Sequence, residues 1–404
     1  MILTLASKSL LNRKGSVLLT IIAISVSLFV LLAVDHLRQQ TKQGFASTIS
    51  GTDLVVGSRT SSINLLLYSI FHIGTPTANL SWKAYQNFNS HPQIAWTIPI
   101  SLGDSHKGYR VMGTNDDFFL HYNFGNKHPL SFSAGDKFND TFDVVLGSEV
   151  AQQLNYKIND PIVLSHGLVS TSFSNHDQYP FKIIGILNST GTPVDQTLYV
   201  TLKGIEAIHK NWQNGKKQNE DLTPKNITAF MLGLTSRMAT FDVQRDINQY
   251  AQEPLTAILP GVALSELWHI MGSVEQVLKL ISYLVILASL LGLSAMLVAS
   301  INERRQEIHL LRIIGAPPSY IFLIIELEAI LIALIGTGLS LLALTSALIA
   351  FQSTLTAEFG LHLSANLFSM NNLLILGLVQ IAAIIAAAIP AAMAYRSAQH
   401  SIKH

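Results

Sequence analysis

Four long apolar runs lie along the chain, and polar or mixed sequence separates them. The predicted spans are residues 16–34, 277–301, 319–351 and 372–395, with Pro390 near the end of the last. Each run is long enough to cross a bilayer as a helix, which takes about 20 residues. A cleaved signal peptide is the alternative for the first run, but the run is longer than a typical signal core and no clear A-x-A site precedes Asp35. The pattern predicts an α-helical membrane protein with four transmembrane helices, one before and three after a large polar region at 35–275.

Basic residues are distributed unevenly among the short segments that flank these runs. They occur in the stub at 1–15, the loop at 302–318 and the tail at 396–404, as Lys8, Arg13, Lys14, Arg304, Arg305, Arg312, Arg396 and Lys403. The short segment 352–371 contains no Lys or Arg. Because short cytoplasmic segments are enriched in basic residues, we expect both termini and the 302–318 loop in the cytoplasm and the 35–275 region outside. The stub is weakly amphipathic, which predicts a helix on the membrane surface.

The region at 35–275 has mixed periodicity, which predicts a mixed α/β domain. Strand-like runs cover residues 53–56, 95–102, 109–113, 143–146, 161–164, 181–187, 198–200, 227–234 and 255–259. Helical runs cover 81–89, 148–154, 202–211 and 238–250, and 35–50 and 264–276 are expected to continue the first two spans as stalk helices. A polar loop is expected at 214–225. The apolar run INLLLYSIF at 63–71 is either a buried core helix or an exposed contact surface.

Composition agrees with a membrane protein and excludes several functions. Of the 404 residues, 49% are hydrophobic and 13% charged, and the mean hydropathy is +0.36. The net charge of +1 gives no basic excess for nucleic-acid binding, and the absence of cysteine excludes disulfides and thiol chemistry. The sequence contains no G-x-x-x-x-G-K-[ST], H-E-x-x-H or G-x-S-x-G run. We therefore expect neither ATP binding by this chain alone nor catalysis within it.

The stretch at 302–328, NERRQEIHLLRIIGAPPSYIFLIIELE, is unusually charged for its position between two apolar runs. As a helix it carries an apolar stripe of Ile308, Leu311 and Ile314 beside charged residues, which is what docking onto a partner requires. The same basic residues also suit an ordinary cytoplasmic loop. The residues alone leave both interpretations open.

The end of this stretch predicts a break and two buried carboxylates. Gly315 can end the helix, and Pro317 with Pro318 forces a break before the next helix begins. Glu326 and Glu328 enter the third apolar run. Because a charge within the membrane is costly, we expect these carboxylates near the interface or facing protein.

Together these features resemble the MacB/FtsX-like permease family of ABC transporters, the type VII or mechanotransmission type, over the whole chain. In that family an E-R-x-x-E-I-x-x-L-R-x-x-G-A motif is the coupling element that docks into a groove on the ATPase subunit. The matching positions here are Glu303, Arg304, Glu307, Ile308, Leu311, Arg312, Gly315 and Ala316. Glu328 matches the family's acidic residue at the start of the third span. The family's closing P-A-x-x-A-x-R pattern is matched by Pro390, Ala391, Ala394 and Arg396.

The resemblance also implies an architecture and partners. It implies a porter-like base from residues around 51–120 and 226–262, with an inserted sabre-like, β-rich lobe at about 140–212. The implied partners are a cytoplasmic ABC ATPase that carries the ATP and Mg²⁺, and a second permease copy in a homodimer. A periplasmic adaptor or substrate-binding protein and membrane lipid are further expected partners. No cofactor is expected in this chain.

Location and function follow from the same resemblance. It implies the bacterial inner membrane, with ATP hydrolysis coupled to export or extraction of a substrate from the periplasm or outer leaflet. The alternative is a signalling permease that transports nothing and activates a periplasmic envelope enzyme or sensor.

Histidines are the candidates for a metal site. Several outer-domain stretches resemble a subgroup of the family that is associated with zinc-responsive operons, and they contain His72, His106, His166 and His176. Imidazole suits Zn²⁺, and Asp104 or Asp177 could add an oxygen ligand. The histidines have no local ligand spacing, so a site would require the fold to bring them together. Surface or hydrogen-bonded histidines are the alternative interpretation.

Overall fold

The computed structural model describes residues 10, 13–166, 179–209, 221–359, 367 and 369–400. These residues divide into a helical unit, made of Met1–Gln40, Gly272–Gln352 and Leu363–His404, and an α/β unit, made of Thr41–Met271 and Ser353–His362. The α-helices of the described residues are α1 Lys14–Thr48, α2 Ser62–Ser69, α3 Trp82–Asn89, α4 Asp117–His121, α5 Ser148–Gln153, α6 Leu202–His209, α7 Thr240–Asn248, α8 Pro260–Glu303, α9 Arg305–Ile313, α10 Pro318–Phe359 and α11 Met370–His400. Short 3₁₀ helices lie at Pro193–Gln196 and Arg237–Ala239.

The strands of the described residues all lie in the α/β unit. They are β1 Leu54–Ser58, β2 Leu80–Ser81, β3 Ile94–His106, β4 Tyr109–Thr114, β5 Asn123–Phe124, β6 His128–Pro129, β7 Phe132–Gly135, β8 Asp143–Leu146, β9 Pro161–Ile162, β10 Ser165–His166, β11 Phe181–Leu187, β12 Thr197–Thr201, β13 Asn226–Ile227, β14 Ala229–Leu234 and β15 Leu255–Ile258.

Four helices of the helical unit, α1, α8, α10 and α11, are long and apolar enough to cross a membrane. Many of their large apolar side chains point outward, such as Leu284 at 56% exposure and Ile385 at 65%. Outward apolar faces are what lipid-facing helices need, because lipid replaces water around them. The predicted spans lie within these helices.

Small residues let the helices of this unit approach closely. One face of α11 carries four alanines that are at most 1% exposed, Ala383, Ala387, Ala391 and Ala394. Their spacing of three and four residues places them on one stripe, and small side chains at such a stripe permit close backbone contact. Accordingly, Ser294 Oγ of α8 donates to the carbonyl oxygen of Ala386 at 2.6 Å.

A group of charged and polar side chains joins α1, α8 and α11 within the helical unit. Asp35 Oδ2 accepts a hydrogen bond from Asn371 Nδ2 at 2.9 Å, and Asp35 Oδ1 lies 3.7 Å from Arg38 and 3.9 Å from Lys279. Glu275 Oε1 lies 2.5 Å from Arg38 Nε and 3.2 Å from Lys279 Nζ. Asp35 is buried, so its charge is compensated by two cations and an amide.

The α/β unit is built on one mixed sheet with the strand order β15-β1-β14-β3-β4-β12-β8-β11-β7. Strand β10 also pairs with β3, and β9 with β11. The long strand β3 serves both parts of the sheet, because residues 94–100 pair with β14 and residues 101–106 pair mainly with β4. Its register shifts between Leu102 and Ser105, where Gly103 has φ +155°. The shift changes the direction of the last residues of β3, which include Asp104 and His106.

The strand and helix predictions for this unit are confirmed at most positions. Each predicted strand run overlaps an observed strand, and the predicted helices correspond to α3, α5, α6 and the segment 237–248. The run at 63–71 supplies α2, whose Leu65, Leu66 and Tyr68 are fully buried in the core, so its interpretation as a buried helix is confirmed. The predicted stalk at 35–50 is helical as far as Thr48, where α1 ends, and the predicted stalk at 264–276 lies within α8. The amphipathic stub and most of the 214–225 loop lie outside the described residues.

Candidate functional site

The segment at 303–316 connects α8 to α10 through one short helix. α8 ends at Glu303, and the first turn beyond it is joined to α9 by a hydrogen bond from Ile308 N–H to the Arg304 carbonyl at 2.9 Å. α9 ends at Ile313, and Gly315 follows with φ +98°. That left-handed conformation disfavours any residue with a Cβ, so glycine sets the turn before α10 begins at Pro318.

The apolar residues of α9 divide between two faces. Ile308 packs against the core of the helical unit, whereas Leu310 is 57% exposed, Ile313 68% and Ile314 82%. The side chains of Leu311 and Arg312 lie outside the described residues. Of the predicted stripe, Ile308 therefore faces the protein and Ile314 faces outward.

Leu310 and Ile313 were missed in the sequence prediction. On a short helix with many apolar residues, spacings of three and four residues are compatible with more than one apolar stripe. Packing against the other helices decides which of these stripes stays exposed. We call Leu310, Ile313 and Ile314 the exposed apolar face of the 303–316 segment.

Ion pairs fix this segment to its own subunit. Arg304 Nη1 lies 2.9 Å from Glu328 Oε1, and Arg304 Nε lies 3.1 Å from Glu307 Oε2. Arg13 donates to the carbonyl oxygen of Ser300 at 2.8 Å and lies 3.3 Å from Glu303. Glu303 and Glu307 are 68% and 64% exposed at their side chains, so their carboxylates also face solvent.

The remaining motif residues serve packing or lie at the surface. Glu326 and Glu328 are 7% and 2% exposed, which confirms that both face protein. In the closing pattern, Pro390, Ala391 and Ala394 are buried, and Arg396 is exposed. Ala316 is half-buried at the turn before α10, and Gly315 is exposed.

His72, one of the predicted metal candidates, is held by hydrogen bonds within the α/β unit. Its Nδ1 lies 2.9 Å from Thr197 Oγ1, and that hydroxyl donates to the Pro193 carbonyl at 2.9 Å. Because the hydroxyl hydrogen is used there, His72 Nδ1–H is the donor to Thr197. Burial, followed by the nearby Arg110 cation, lowers the pKa of His72 to about 3. His72 is thus neutral at physiological pH.

His106, the second candidate, has both ring nitrogens occupied by protein groups. Nδ1 lies 2.7 Å from the Val163 carbonyl oxygen and Nε2 lies 2.8 Å from the Tyr156 hydroxyl. A carbonyl only accepts, so Nδ1 carries the hydrogen and Nε2 accepts from Tyr156. Burial lowers the pKa of His106, which keeps the ring neutral.

The other two candidates are only partly described. His166 lies in β10, where its backbone pairs with Asp104 of β3. His176 lies outside the described residues. Among the side chains that the structure describes, no three His, Asp or Glu residues form a metal-binding group.

Two family models match the chain. The MacB-like periplasmic core domain matches residues 17–250, and the FtsX-like permease C-terminal model matches residues 279–398. No curated protein sequence matches the chain.

Two solved structures are similar to about half of the chain. The periplasmic region of MacB from Actinobacillus actinomycetemcomitans has 10% identity and a TM-score of 0.35, covering 55% of this chain and 94% of that chain. The extracellular domain of the noncanonic ABC-type transporter YknZ from Gram-positive bacteria has 10% identity and a TM-score of 0.32, covering 51% of this chain and 99% of that chain.

The family assignment rests on the two family models, one for the region that includes the α/β unit and one for the helices that follow it. Together they extend from the first apolar run to the last. The periplasmic-core model alone matches more than half of the sequence. The chain therefore belongs to the MacB/FtsX-like permease family of ABC transporters and is an inner-membrane protein with a large extracytoplasmic domain.

Proposed function

We propose that this permease couples ATP hydrolysis by a separate cytoplasmic ATPase to a conformational change of its extracytoplasmic domain. The observation that carries the proposal is the exposed apolar face of the 303–316 segment, together with the ion pairs that fix that segment to α10. When a partner covers an apolar face on a short helix, apolar surface is removed from water, which favours binding. The flanking carboxylates of Glu303 and Glu307 can set the register of the partner.

The proposal places the four long helices across the membrane in a one-plus-three arrangement. The element order supports it, because α1 precedes the strands and α8, α10 and α11 follow them. The basic residues at 13–14, 304–312 and 396 support a cytoplasmic location for both termini and the 303–316 segment. The α/β unit is then periplasmic.

We further propose that the outer domain consists of a porter-like base and a sabre-like lobe. Two clusters of buried side chains support this division, one around Phe230 and Val243 and the other around Val144 and Phe181. A third cluster, which includes Met231 and Val145, contains residues of both parts. The strand β3 contributes to both parts of the sheet. In this arrangement a homodimer of permeases works with two ATPase subunits, and the domain boundaries are those predicted from the sequence.

The proposed outcome of coupling is export or extraction of a substrate from the periplasm or outer leaflet. Helices α1 and α8 each contribute residues to both units, and they are the proposed path along which movement is transmitted. In this proposal, movement starts at the 303–316 segment and results in a conformational change of the extracytoplasmic domain.

The docking step can be tested with a double variant, Leu310→Asp and Ile313→Asp, purified from membranes together with its ATPase. Placing two carboxylates in an apolar interface is expected to weaken the complex at least about tenfold, because buried apolar anchors carry most of the binding free energy. ATPase stimulation by the permease is lost in parallel. Gln306→Ala changes an exposed polar residue of the same helix and is the control. A double variant that retains both the complex and full stimulation overturns the proposal.

A further inference from the structure

Outward apolar residues recur along α8 at alternating intervals of three and four residues. The six positions of this pattern within the helical unit are Val274, Val277, Ile281, Leu284, Ala288 and Leu291. All six are exposed, and the five larger side chains are between 49% and 61% exposed. Such an alternation is the spacing of the a and d positions of a coiled coil. We call these six residues the α8 seam.

The opposite face of α8 packs within its own subunit. Glu275 and Lys279 form ion pairs with residues of α1. Leu293 is fully buried in the core of the helical unit. In the heptad that the seam defines, these three residues occupy b and f positions, which lie away from a and d. The part of the chain that the structure describes therefore leaves the seam uncovered.

The apolar pattern of α8 continues before the predicted membrane span, where lipid tails do not reach. The span is predicted to begin at residue 277, and Val274 precedes it. Ile270, four residues earlier on α8, continues the heptad spacing and is 56% exposed. Residues 39–43 of α1, by contrast, have the polar sequence QQTKQ. Because covering an apolar helix face in water is favourable, this end of the pattern indicates a protein partner.

A second copy of the chain has the surface that this face requires. Two copies have the same orientation in the membrane, so a two-fold axis brings their α8 helices together in parallel, with each seam residue against its own counterpart. Charged residues at such positions would repel one another, but both charged residues of this part of α8, Glu275 and Lys279, lie on the opposite face. β-Branched residues at a positions, here Val274 and Ile281, together with Leu at a d position, here Leu284, favour two strands.

We propose that two copies of this chain associate through the α8 seam as a parallel two-stranded coiled coil. The inference rests on the homodimer of the proposed function and identifies its contact surface. The contact begins before the predicted span, at Ile270, and continues within the span to Leu291. It joins the two copies along a helix that is part of the proposed path of movement.

Disulfide crosslinking of the full-length chain tests the seam in native membranes that also contain its ATPase. The chain has no cysteine, so each single-cysteine variant reports on one position. Val274→Cys, Ile281→Cys and Leu284→Cys are expected to form disulfide-linked dimers when oxidised with copper phenanthroline. Tyr283→Cys is the matched control, because Tyr283 is 58% exposed on the same turns of α8 but occupies a c position. The seam variants are expected to give at least about tenfold more dimer than this control, since a disulfide requires Cα atoms within about 7 Å.

Three results would overturn the inference. Absence of dimer from all three seam variants would mean that two copies do not meet along this face and that lipid covers it. Equal amounts of dimer from Tyr283→Cys and from the seam variants would indicate random collisions between chains. Disulfides that link the seam only to a different protein would assign the face to that protein.

Co-purification of the ATPase with each variant separates this inference from the proposed function and also shows that the variant is folded. If the ATPase remains bound and no seam variant forms a dimer, the seam inference fails and the docking proposal stands. If the wild-type chain binds no ATPase, the proposed function fails, and dimers specific to the seam variants would still support the seam.

Discussion

Arg304 Nη1 lies 2.9 Å from Oε1 of Glu328, so an ion pair joins the residue that precedes α9 to the long helix α10. The side chains are 19% and 3% exposed, respectively. A second contact links Arg304 to Glu307 at 3.1 Å. Because its own subunit holds this arginine on two sides, Arg304 positions the segment, and Leu310 and Ile313 present the surface that a partner can cover.

Glu328→Gln is predicted to destabilise the helical unit and to reduce coupling. Removing one partner of a fully buried pair costs about 3–5 kcal/mol, and the cost here is smaller because Arg304 is partly exposed. The measurements are the melting temperature of the purified permease and its stimulation of the ATPase. Both are expected to fall.

Glu326→Gln is the matched control for that prediction. Glu326 lies two residues earlier in α10, is 7% exposed, and its carboxyl oxygens have no hydrogen-bond partner among the described residues. Replacing it changes a buried carboxyl group without breaking an ion pair, so no loss of stability is expected. Equal decreases in melting temperature and ATPase stimulation in the two variants would contradict the role given to the Arg304–Glu328 pair.

Gly315→Ala is predicted to impair coupling while the protein still folds. The φ of +98° at Gly315 costs a residue with a Cβ about 1–2 kcal/mol, and this strain falls on the turn between α9 and α10. ATPase stimulation is expected to fall without loss of expression. Gly338→Ala is the control, because that glycine lies inside α10 with open space around its Cβ position. A Gly315→Ala variant with full stimulation would show that the turn geometry is not needed.

Asp35→Asn is predicted to loosen the contacts among α1, α8 and α11. The substitution leaves Arg38 and Lys279 with one carboxylate, Glu275, in place of two. Loss of hydrogen bonds and ion pairs to a buried charged group costs about 1.5–3 kcal/mol for each strong contact. The readout is the melting temperature in detergent.

The control for Asp35 is Asp242→Asn, which breaks an exposed pair with Arg245 whose two side chains are 59% and 60% exposed. An exposed pair contributes about 0–1 kcal/mol, so this variant is expected to melt close to the wild type. If Asp35→Asn melted no lower than Asp242→Asn, the buried group at Asp35 would not stabilise the helices.

The stability of the α/β unit is predicted to fall as the pH drops from about 6.5 toward 3. In the folded state the pKa of His72 is lowered from 6.5 to about 3, so only the unfolded chain binds this proton within that window. More protons on the unfolded state means that stability decreases with decreasing pH. Above this window His72 is neutral in both states and contributes no pH dependence.

His72→Asn tests this prediction through the pH dependence of the melting temperature. Asparagine tolerates the φ of +55° at this position, and its amide can still donate to Thr197. The variant is expected to lose less stability than the wild type between pH 6.5 and 3. Identical pH dependence in the two proteins would exclude His72 as a contributor.

Local sequence patterns predicted the helices and strands more accurately than they predicted the side-chain contacts. The alternation in FKIIGIL and the buried run DVVL are direct signals of half-buried and central strands, and both strands were found. The pairing of Arg304 with Glu328 spans 24 positions in sequence, and no local periodicity reports it. His209 was missed as a partner of Asp104 for the same reason, whereas His106 was selected although its ring is fully hydrogen-bonded.

Site-directed crosslinking of the exposed apolar face tests the central claim most directly. The chain has no cysteine, so Ile313→Cys introduces a unique thiol for a short bifunctional crosslinker in native membranes. We predict that this residue, 68% exposed, crosslinks to an ABC ATPase, and that Met370→Cys, 75% exposed at the first residue of α11, does not. If Ile313→Cys formed no crosslink to an ATPase in membranes where the complex is intact, the claim that the 303–316 segment is the docking element would be contradicted.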